Sequence, residues 1–361
     1  MRGENCGNFD RKIIVIIPVY NCKNYLCQAV DSVLLQPYSA LQILLIDDGS
    51  TDGSAVLCDE LSHRSSQITV IHQQNGGVSQ ARNVGMEYLY TNKNKESDYI
   101  TFLDADDAWS TNWIDTQLIG LLKQGYDLIG LQSCTCNTSL TRRSDCIPMQ
   151  EGEYRGGERA VWLHAGHMGA MLYRIGLVKK FKIYFYKIKA SEDKIFSMQC
   201  LYLADKIYLT NRLMYLYRQN AKSAMHTREK GIPYYMPIID AYIRSDKEML
   251  QWKNPVRGSL HEGNLLAKIY IMDMIEEEWS KKSGVKNIEK LMNRRQDYCE
   301  ILEKSTNSKL VDERWLKMQR HKCKYILKNK VYRILSAVAR KILYFRQIRA
   351  YVDRKRYPIS I

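Results

Sequence analysis

The stretch QILLIDDGSTDGS, residues 42–54, decides the fold class of this 361-residue chain. Its first half is an apolar run that is too short for a helix and suits a buried parallel strand. Two carboxylates end the run, and the glycines, serines and threonine that follow are turn residues that also cap a helix. The stretch therefore predicts a buried strand, a polar turn and the start of a helix.

The same unit recurs along the first 130 residues. Besides 42–48, strands are predicted at 12–18, 68–73, 98–104 and 127–132, and helices at 24–36 and 78–89. Strands that alternate with helices in units of ~30 residues predict a parallel sheet covered on both faces. The first four strands each end in a polar cluster, and ligands bind beyond the carboxyl ends of such strands. We therefore expect a binding site along this edge of the sheet.

Composition narrows the class of protein. The chain is 45% hydrophobic and 26% charged, which excludes a largely disordered, collagen-like or small disulfide-rich protein. Its longest aliphatic run covers only residues 13–17, whereas a membrane span needs ~20 apolar residues. The first ten residues lack a signal-peptide core, so a cytoplasmic protein is expected. The ten cysteines show no metal-site spacing and are interpreted as reduced, interior thiols.

Six motifs, in this order, resemble those of the family-two glycosyltransferases. They are PVYN (18–21), DDGSTDGS (47–54), NGGVSQARNVG (75–85), FLDADD (102–107), SED (191–193) and LYRQNAKS (216–223). The resemblance implies an α/β protein with the GT-A fold, in which helices flank a mixed sheet. It also implies a domain at 12–230, with a nucleotide-binding half at 12–130 and an acceptor half at 131–230. Residues 231–361 carry no part of the resemblance and are predicted to be helical. The less regular region 133–230 is predicted to contain a helix at 193–204, followed by short strands at 206–210 and 213–218.

The resemblance also assigns residues to a nucleotide-sugar donor, with UDP as the expected nucleotide. Asp48 looks like the carboxylate that recognises the base, and Pro18 and Tyr20 would form the wall on which the base lies. Arg82 would reach the donor diphosphate, aided by helix N-terminal amides. The alternative for Arg82 is a structural ion pair with the acids that end the second strand. The alternative for Asp48 is that it is an ordinary turn residue.

Asp104 and Asp106 match the family's DXD motif. Sugar transfer requires that the negative charge of the diphosphate leaving group be neutralised. A divalent cation supplies the positive charge that does so. Neighbouring carboxylates repel by roughly 3 kcal/mol at ~5 Å and an effective dielectric of ~20, and a bound cation removes that repulsion. By resemblance, Asp104 contacts the ribose or the metal, and Asp106 ligates Mn²⁺ or Mg²⁺ with Asp107 as a helper. The alternative to a metal site is that these aspartates precede a helix, where acidic side chains interact favourably with the helix dipole.

Asp193 in SED is the expected catalytic base, because the family places a carboxylate at a helix start beneath the acceptor. It would take the proton of the acceptor hydroxyl in a single inverting displacement, while Glu192 braces the loop. The alternative is a pair of acids in the first turn of a helix.

Five further polar residues also receive assignments. Arg218 and Ser223 resemble a segment that contacts the diphosphate and would act as a lid, and His226 is a possible extra metal ligand. HMG, residues 167–169, falls where the family lines its acceptor pocket, so an acceptor contact is one interpretation of His167. The favoured interpretation is that His164 and His167 are packed or exposed histidines without a function.

The C-terminal segment 314–356 carries the net charge. It has fifteen lysines and arginines against one acid, so fourteen of the chain's fifteen net positive charges fall there. Apolar residues recur on one helical face at 331, 334, 335, 338, 342 and 345. This basic amphipathic helix could lie on an anionic membrane surface. The alternatives are a helix packed on the body of the protein and, less favoured, a nucleic-acid contact, for which no recognisable module is present.

These features favour a metal-dependent inverting glycosyltransferase acting on a glycan or lipid-linked acceptor in surface polysaccharide biosynthesis, at the inner face of the cell membrane. One alternative is a nucleotidyltransferase. Such an enzyme would require a glycine- and lysine-rich phosphate loop near the first strand, and PVYNCKNY, residues 18–25, is not such a loop. Another is a non-catalytic nucleotide- or nucleic-acid-binding protein, which has no use for the separate acid in SED.

Overall fold

The computed structural model describes residues 11–141, 146, 149–156, 168–219 and 232–252. All of them lie in the first of two compact units, Met1–Ala267, and the second, Lys268–Ile361, falls outside the described residues. The predicted residues Ser223, His226, His164 and His167 and the basic segment 314–356 also fall outside them.

Within the described residues, nine strands form one sheet. The strands are β1 (Ile13–Val19), β2 (Leu41–Asp47), β3 (Ile68–His72), β4 (Tyr99–Phe102), β5 (Ala108–Trp109), β6 (Leu128–Cys136), β7 (Gly152–Tyr154), β8 (Met171–Arg174) and β9 (Ile207–Arg218). Their order is β3-β2-β1-β4-β8-β6-β9-β5, with β7 beside β9. β3, β2, β1 and β4 are parallel, and β8 runs antiparallel to both of its neighbours, β4 and β6. The sheet is therefore mixed, and the fold class implied by the resemblance is confirmed.

Seven α-helices accompany the sheet in the described part of the chain. They are α1 (Lys23–Leu34), α2 (Ser54–Arg64), α3 (Val78–Thr91), α4 (Thr116–Gln124), α5 (Ile175–Phe181), α6 (Glu192–Leu203) and α7 (Ile232–Gln251). The predicted helices at 24–36, 78–89 and 193–204 correspond to α1, α3 and α6. Over the ranges described, no helix combines the length and the apolar character needed to cross a membrane.

The core lies around the central strand β1, all seven residues of which are buried. Helix α3 packs directly against this strand, since a Cβ atom added at Gly85 would lie 2.8 Å from Cγ2 of Ile16. A glycine at this position therefore lets the helix approach the sheet closely. On the same helix, Asn83 exchanges two hydrogen bonds with the backbone of Phe185, of 2.9 and 2.7 Å.

Two expectations about this region are wrong in detail. The short strands predicted at 206–210 and 213–218 are one continuous strand, β9, whose pairing with β6 shifts register near Gln132. The irregular register lets the long strand bend without ending. Cys134 and Cys146 are joined in a disulfide, so the interpretation of every cysteine as a reduced thiol does not hold for this pair. Cys58 and Cys200 are buried free thiols, as expected.

Helix α7, with which the predicted C-terminal helical region begins, is hydrogen-bonded to the predicted acceptor half. Glu248 on α7 accepts a 2.5 Å hydrogen bond from the hydroxyl of Tyr186 and a 3.3 Å hydrogen bond from Nε2 of Gln199 on α6. The predicted boundary at 230 remains a prediction, because the residues around it are outside the described ranges.

Candidate functional site

The loops after β1 and β2 meet at the carboxyl edge of the sheet. Asn21 adopts a left-handed backbone conformation, with φ of 52°, directly after the exposed Tyr20. Its side-chain oxygen accepts a 2.8 Å hydrogen bond from the backbone of Thr51, and its own amide donates to Ser50. Backbone in this sparsely populated region is commonly held at functional sites. Tyr20 is therefore presented to solvent by a loop that is fixed on both sides.

Asp48 is buried and held by the loop after β3. One carboxylate oxygen accepts hydrogen bonds from the amide of Gly76 at 2.8 Å and the side chain of Gln73 at 2.5 Å, and the other accepts from the amide of Gly77 at 2.8 Å. An ionised carboxylate offers about four acceptor positions, so one remains for a ligand N–H. The predicted wall residues lie alongside on β1: Pro18 is buried in the strand, and Tyr20 is 49% exposed just beyond it.

The DXD turn, residues 104–107, follows β4 and leads directly into β5. Asp104 and Asp106 are partly exposed, whereas Asp107 is buried. Burial and the charge of Asp104 raise the pKa of Asp106, and burial together with both neighbours raises the pKa of Asp107 to about 8. The turn therefore concentrates negative charge that the protein does not fully neutralise.

Arg82 on α3 connects this turn with the start of α6. Its guanidinium donates a 2.7 Å hydrogen bond to Asp104 and a 3.0 Å hydrogen bond to Glu192, and the side chain is only 4% exposed. Burial opposes the charge of Arg82, but the carboxylates of Asp104 and Glu192 outweigh burial and raise the pKa of the guanidinium. The alternative bridge to the second-strand acids is not formed. The Nε–H of Arg82 has no partner among the described residues, and the predicted diphosphate contact rests on that donor.

The SED segment begins α6 beside this arginine. Ser191 precedes the helix in a left-handed conformation, with φ of 67°. Glu192 is buried against Arg82, while Asp193 is partly exposed and accepts a 2.7 Å hydrogen bond from the amide of Lys194. Burial raises the pKa of Asp193, the nearby Asp104 raises it further, and Arg82 opposes the rise. Carboxylates of the DXD turn and of the SED segment thus converge around one guanidinium.

Arg218 lies at the end of β9, 3% exposed. Its guanidinium donates to the carbonyl of Asp106, the carbonyl of Thr138 and the side chain of Gln28 on α1, and it lies 4.7 Å from the ring of Tyr25. These contacts brace the DXD turn from behind. The predicted contact of Arg218 with a diphosphate remains a prediction, since its donors are engaged by the protein in this structure.

Tyr215 is a site residue that the sequence analysis missed. Its hydroxyl contacts two residues of the DXD turn, from a strand more than 100 positions away along the chain. The one available signal was the alternation in LMYLYR, which places Tyr215 and Tyr217 on the same side of the strand. Asn83 and Gln28 were also missed, and nothing in their local sequence distinguishes them from ordinary helix residues.

The DXD carboxylates are suited to a divalent cation. Within the described ranges, no three histidine, cysteine, aspartate or glutamate side chains form a ready-made metal centre. However, Mg²⁺ is commonly held by one or two carboxylates together with substrate phosphates and waters. No described side chain donates a hydrogen bond to the carboxylate of Asp106, and burial together with the charge of Asp104 raises the pKa of that residue. This donor set fits a hard cation whose remaining ligands come from a bound diphosphate.

Comparison with known proteins shows that this chain is similar to glycosyltransferases. Residues 14–181 match the family described as "Glycosyl transferase family 2". GlyG, a glycosyltransferase of Streptococcus pneumoniae, is 29% identical over 242 residues, which cover 64% of this chain and 78% of GlyG. GlyA of the same organism is also 29% identical, over 58% of this chain but only 31% of GlyA, so the chain spans about a third of that relative.

A solved structure supports the fold. The structure of S. aureus TarS 1–349 in complex with UDP-GlcNAc superposes with a TM-score of 0.65, covering 96% of this chain and 93% of TarS 1–349 at 17% identity. The likeness shows the GT-A fold for this chain.

Proposed function

We propose that this chain, whose residues 14–181 match glycosyl transferase family 2, is a metal-dependent, inverting enzyme that transfers a sugar from a UDP-sugar to an acceptor hydroxyl. The observation that carries this proposal is the buried guanidinium of Arg82, which contacts Asp104 on the donor side and Glu192 on the acceptor side. This arrangement brings the two sets of carboxylates required for the reaction to one place.

The donor half would recognise the nucleotide through Asp48. The free acceptor position on its carboxylate can take the imide N–H of uracil, and Tyr20 offers an exposed ring for stacking beside Pro18. The three hydrogen bonds that hold Asp48 fix its orientation before the nucleotide arrives. Preorganisation of this kind lowers the ordering cost of binding. TarS binds UDP-GlcNAc on the same fold, which supports a uridine nucleotide here.

The diphosphate would be bound between the DXD turn and the surrounding loops. Mn²⁺ or Mg²⁺, held by Asp106 and Asp104, would supply the positive charge that stabilises the departing diphosphate. Arg82 would add its unused Nε–H on the same side, and Arg218 would keep the turn in place. Ser223 and His226 retain their predicted roles in the segment after β9.

Asp193 would act as the catalytic base. As the acceptor oxygen bonds to C1 of the sugar, its proton passes to the carboxylate of Asp193, and the bond between C1 and the diphosphate oxygen breaks to release UDP. Attack from the opposite face inverts the configuration at C1. The raised pKa of Asp193 makes it a stronger base than an exposed aspartate, which suits proton abstraction from a weakly acidic hydroxyl.

A screen of nucleotide sugars by thermal unfolding tests the donor assignment. With Mn²⁺ present, UDP-sugars at about 100 times their Kd should raise the unfolding midpoint by about 5–10 °C. GDP-, CMP- and dTDP-sugars serve as matched donors with other bases. No stabilisation by any UDP-sugar, or equal stabilisation by all bases, would contradict the proposed donor.

The acceptor is proposed to be a glycan or a lipid-linked saccharide used in building a surface polysaccharide. The basic segment 314–356 would bring the enzyme to the inner face of the membrane, where lipid-linked acceptors are found. Each lysine or arginine near an anionic surface contributes ~1 kcal/mol, so five of them would hold the protein there at low salt.

Removal of residues 314–361 should release the protein from anionic vesicles. We expect co-sedimentation with phosphatidylserine-containing liposomes to fall at least about tenfold, because the chain loses fourteen of its net positive charges. Neutral phosphatidylcholine vesicles and a full-length variant with Arg333, Arg340 and Lys341 changed to Glu separate charge from length. Unchanged binding in both variants would reject a membrane role for this segment.

A further inference from the structure

Strand β9 holds the DXD turn at several backbone and side-chain atoms. The hydroxyl of Tyr215 donates a 2.6 Å hydrogen bond to the carboxylate of Asp107 and accepts a 3.3 Å hydrogen bond from the amide of Asp104. The amide of Arg218 donates a 2.7 Å hydrogen bond to the other oxygen of Asp107, and its side chain donates to the carbonyl of Asp106. Every aspartate of the turn is therefore held from the same strand.

The chain after the turn is fixed to the same strand. Ala108 and Trp109 of β5 pair antiparallel with Leu216 and Tyr215, and the amide of Ser110 donates a 2.7 Å hydrogen bond to the carbonyl of Met214. The turn thus has β4 on one side and a second attachment to β9 on the other. Only its carboxylates at 104 and 106 remain partly exposed.

Tyr215 also contacts the acceptor half. A Cβ atom added at Gly169 would lie 2.3 Å from the ring of Tyr215, so the backbone of the segment Met168–Ala170 rests on that ring. The tyrosine is 7% exposed. One side chain therefore touches both the turn proposed to bind the cation and the segment next to the expected acceptor pocket.

From these contacts we infer that Tyr215 is a positioning residue that sets the spacing of Asp104 and Asp106 for a divalent cation and a diphosphate. The inference rests on the proposed function, because it concerns the same cation and nucleotide. Asp107 is the partner through which Tyr215 acts, since it is 1% exposed and each of its oxygens accepts a hydrogen bond from β9. The sequence analysis expected Asp107 to help at the metal directly, and that expectation stays a prediction.

Tyr215→Phe tests the inference by removing one oxygen atom from a buried ring. UDP affinity is measured by calorimetry with and without Mn²⁺. The Kd without Mn²⁺ divided by the Kd with Mn²⁺ is the gain in affinity that the metal provides, and this ratio reports how well the turn presents its carboxylates. We expect this ratio to fall roughly tenfold, which corresponds to one hydrogen bond to a charged group, while metal-free UDP affinity stays unchanged. Tyr208→Phe, on the same strand but away from the turn, should keep the native ratio.

A double-mutant cycle with Asp107→Asn identifies the route. If Tyr215 acts through Asp107, the double variant should lose about as much as the more affected single variant, because the two changes remove one interaction. Fully additive losses would contradict that route. Thermal unfolding of each variant separates positioning from folding: a Tyr215→Phe protein that is unfolded, or that keeps the native Kd ratio, overturns the inference.

The two proposals fail in different ways. If the unmodified protein binds UDP equally well with and without Mn²⁺, the proposed metal dependence is wrong before any variant is compared. If the unmodified protein shows the gain and Tyr215→Phe shows it too, the metal dependence stands and the role of Tyr215 is refuted.

Discussion

The Asp193→Asn protein should bind UDP-sugar as tightly as the unmodified protein and transfer almost no sugar. Asparagine keeps the size of the side chain and can still accept the hydrogen bond from the amide of Lys194. It cannot take a proton from an acceptor hydroxyl. Because a positioned base contributes about 10²–10⁴-fold to a rate, we expect kcat to fall within that range.

The pH profile provides a second measure of this residue. Burial raises the pKa of Asp193, and the charge of Asp104 adds to the rise. The base must be ionised to act, so the transfer rate should fall as the pH drops through this raised pKa, at a pH above the ~3.9 of an ordinary aspartate. The residual activity of the Asp193→Asn variant should not show this fall in transfer rate at low pH.

Asp205→Asn is a matched control, because Asp205 is exposed at the other end of α6. Its turnover should equal that of the unmodified protein. Near-native turnover of Asp193→Asn, or loss of donor binding in that variant, would exclude Asp193 as the base.

Asp106→Ala should abolish the gain in UDP affinity that Mn²⁺ provides. The carboxylate of Asp106 receives no hydrogen bond from a described side chain, and the charge of Asp104 contributes to its raised pKa. Its removal leaves Asp104 as the only aspartate of the motif, and that residue already contacts Arg82. Calorimetric titration of UDP at several Mn²⁺ concentrations should therefore give one metal-independent Kd.

Asp31→Ala provides the control for this change, since Asp31 is exposed on α1 and lies outside the turn. That variant should keep the full dependence on Mn²⁺. If the UDP affinity of Asp106→Ala still depended normally on Mn²⁺, the cation would be bound elsewhere. The assignment of the DXD motif as the metal site would then be wrong.

The sheet could be predicted from sequence because its signals are local. The β1–β4 strands are apolar runs of four to seven residues, and each is followed by polar or glycine-rich residues that cannot continue a strand. The parallel arrangement follows from the helices between them. The continuous strand β9 was predicted as two, because the polar residues Asn211 and Arg212 interrupt its apolar pattern while the backbone pairing continues.

The site was predicted less completely because its contacts join distant parts of the chain. The motifs identified Asp48, Asp104 and Asp193, but no local pattern relates Arg82 to Glu192, 110 positions later. The same holds for Arg218, whose guanidinium is bound to Gln28, 190 positions away. Such pairs depend on how the sheet and helices pack, so they become visible only in three dimensions.

The ion pairs of Arg82 constrain how this enzyme could be recombined with its relatives. One route to a new acceptor preference is to graft the acceptor half of another transferase onto the predicted nucleotide half of this chain. Such a hybrid would need a carboxylate where Glu192 now lies, since a buried guanidinium that loses one partner costs about 3–5 kcal/mol. Compatibility between grafted halves can therefore be screened at a single position before any hybrid is built.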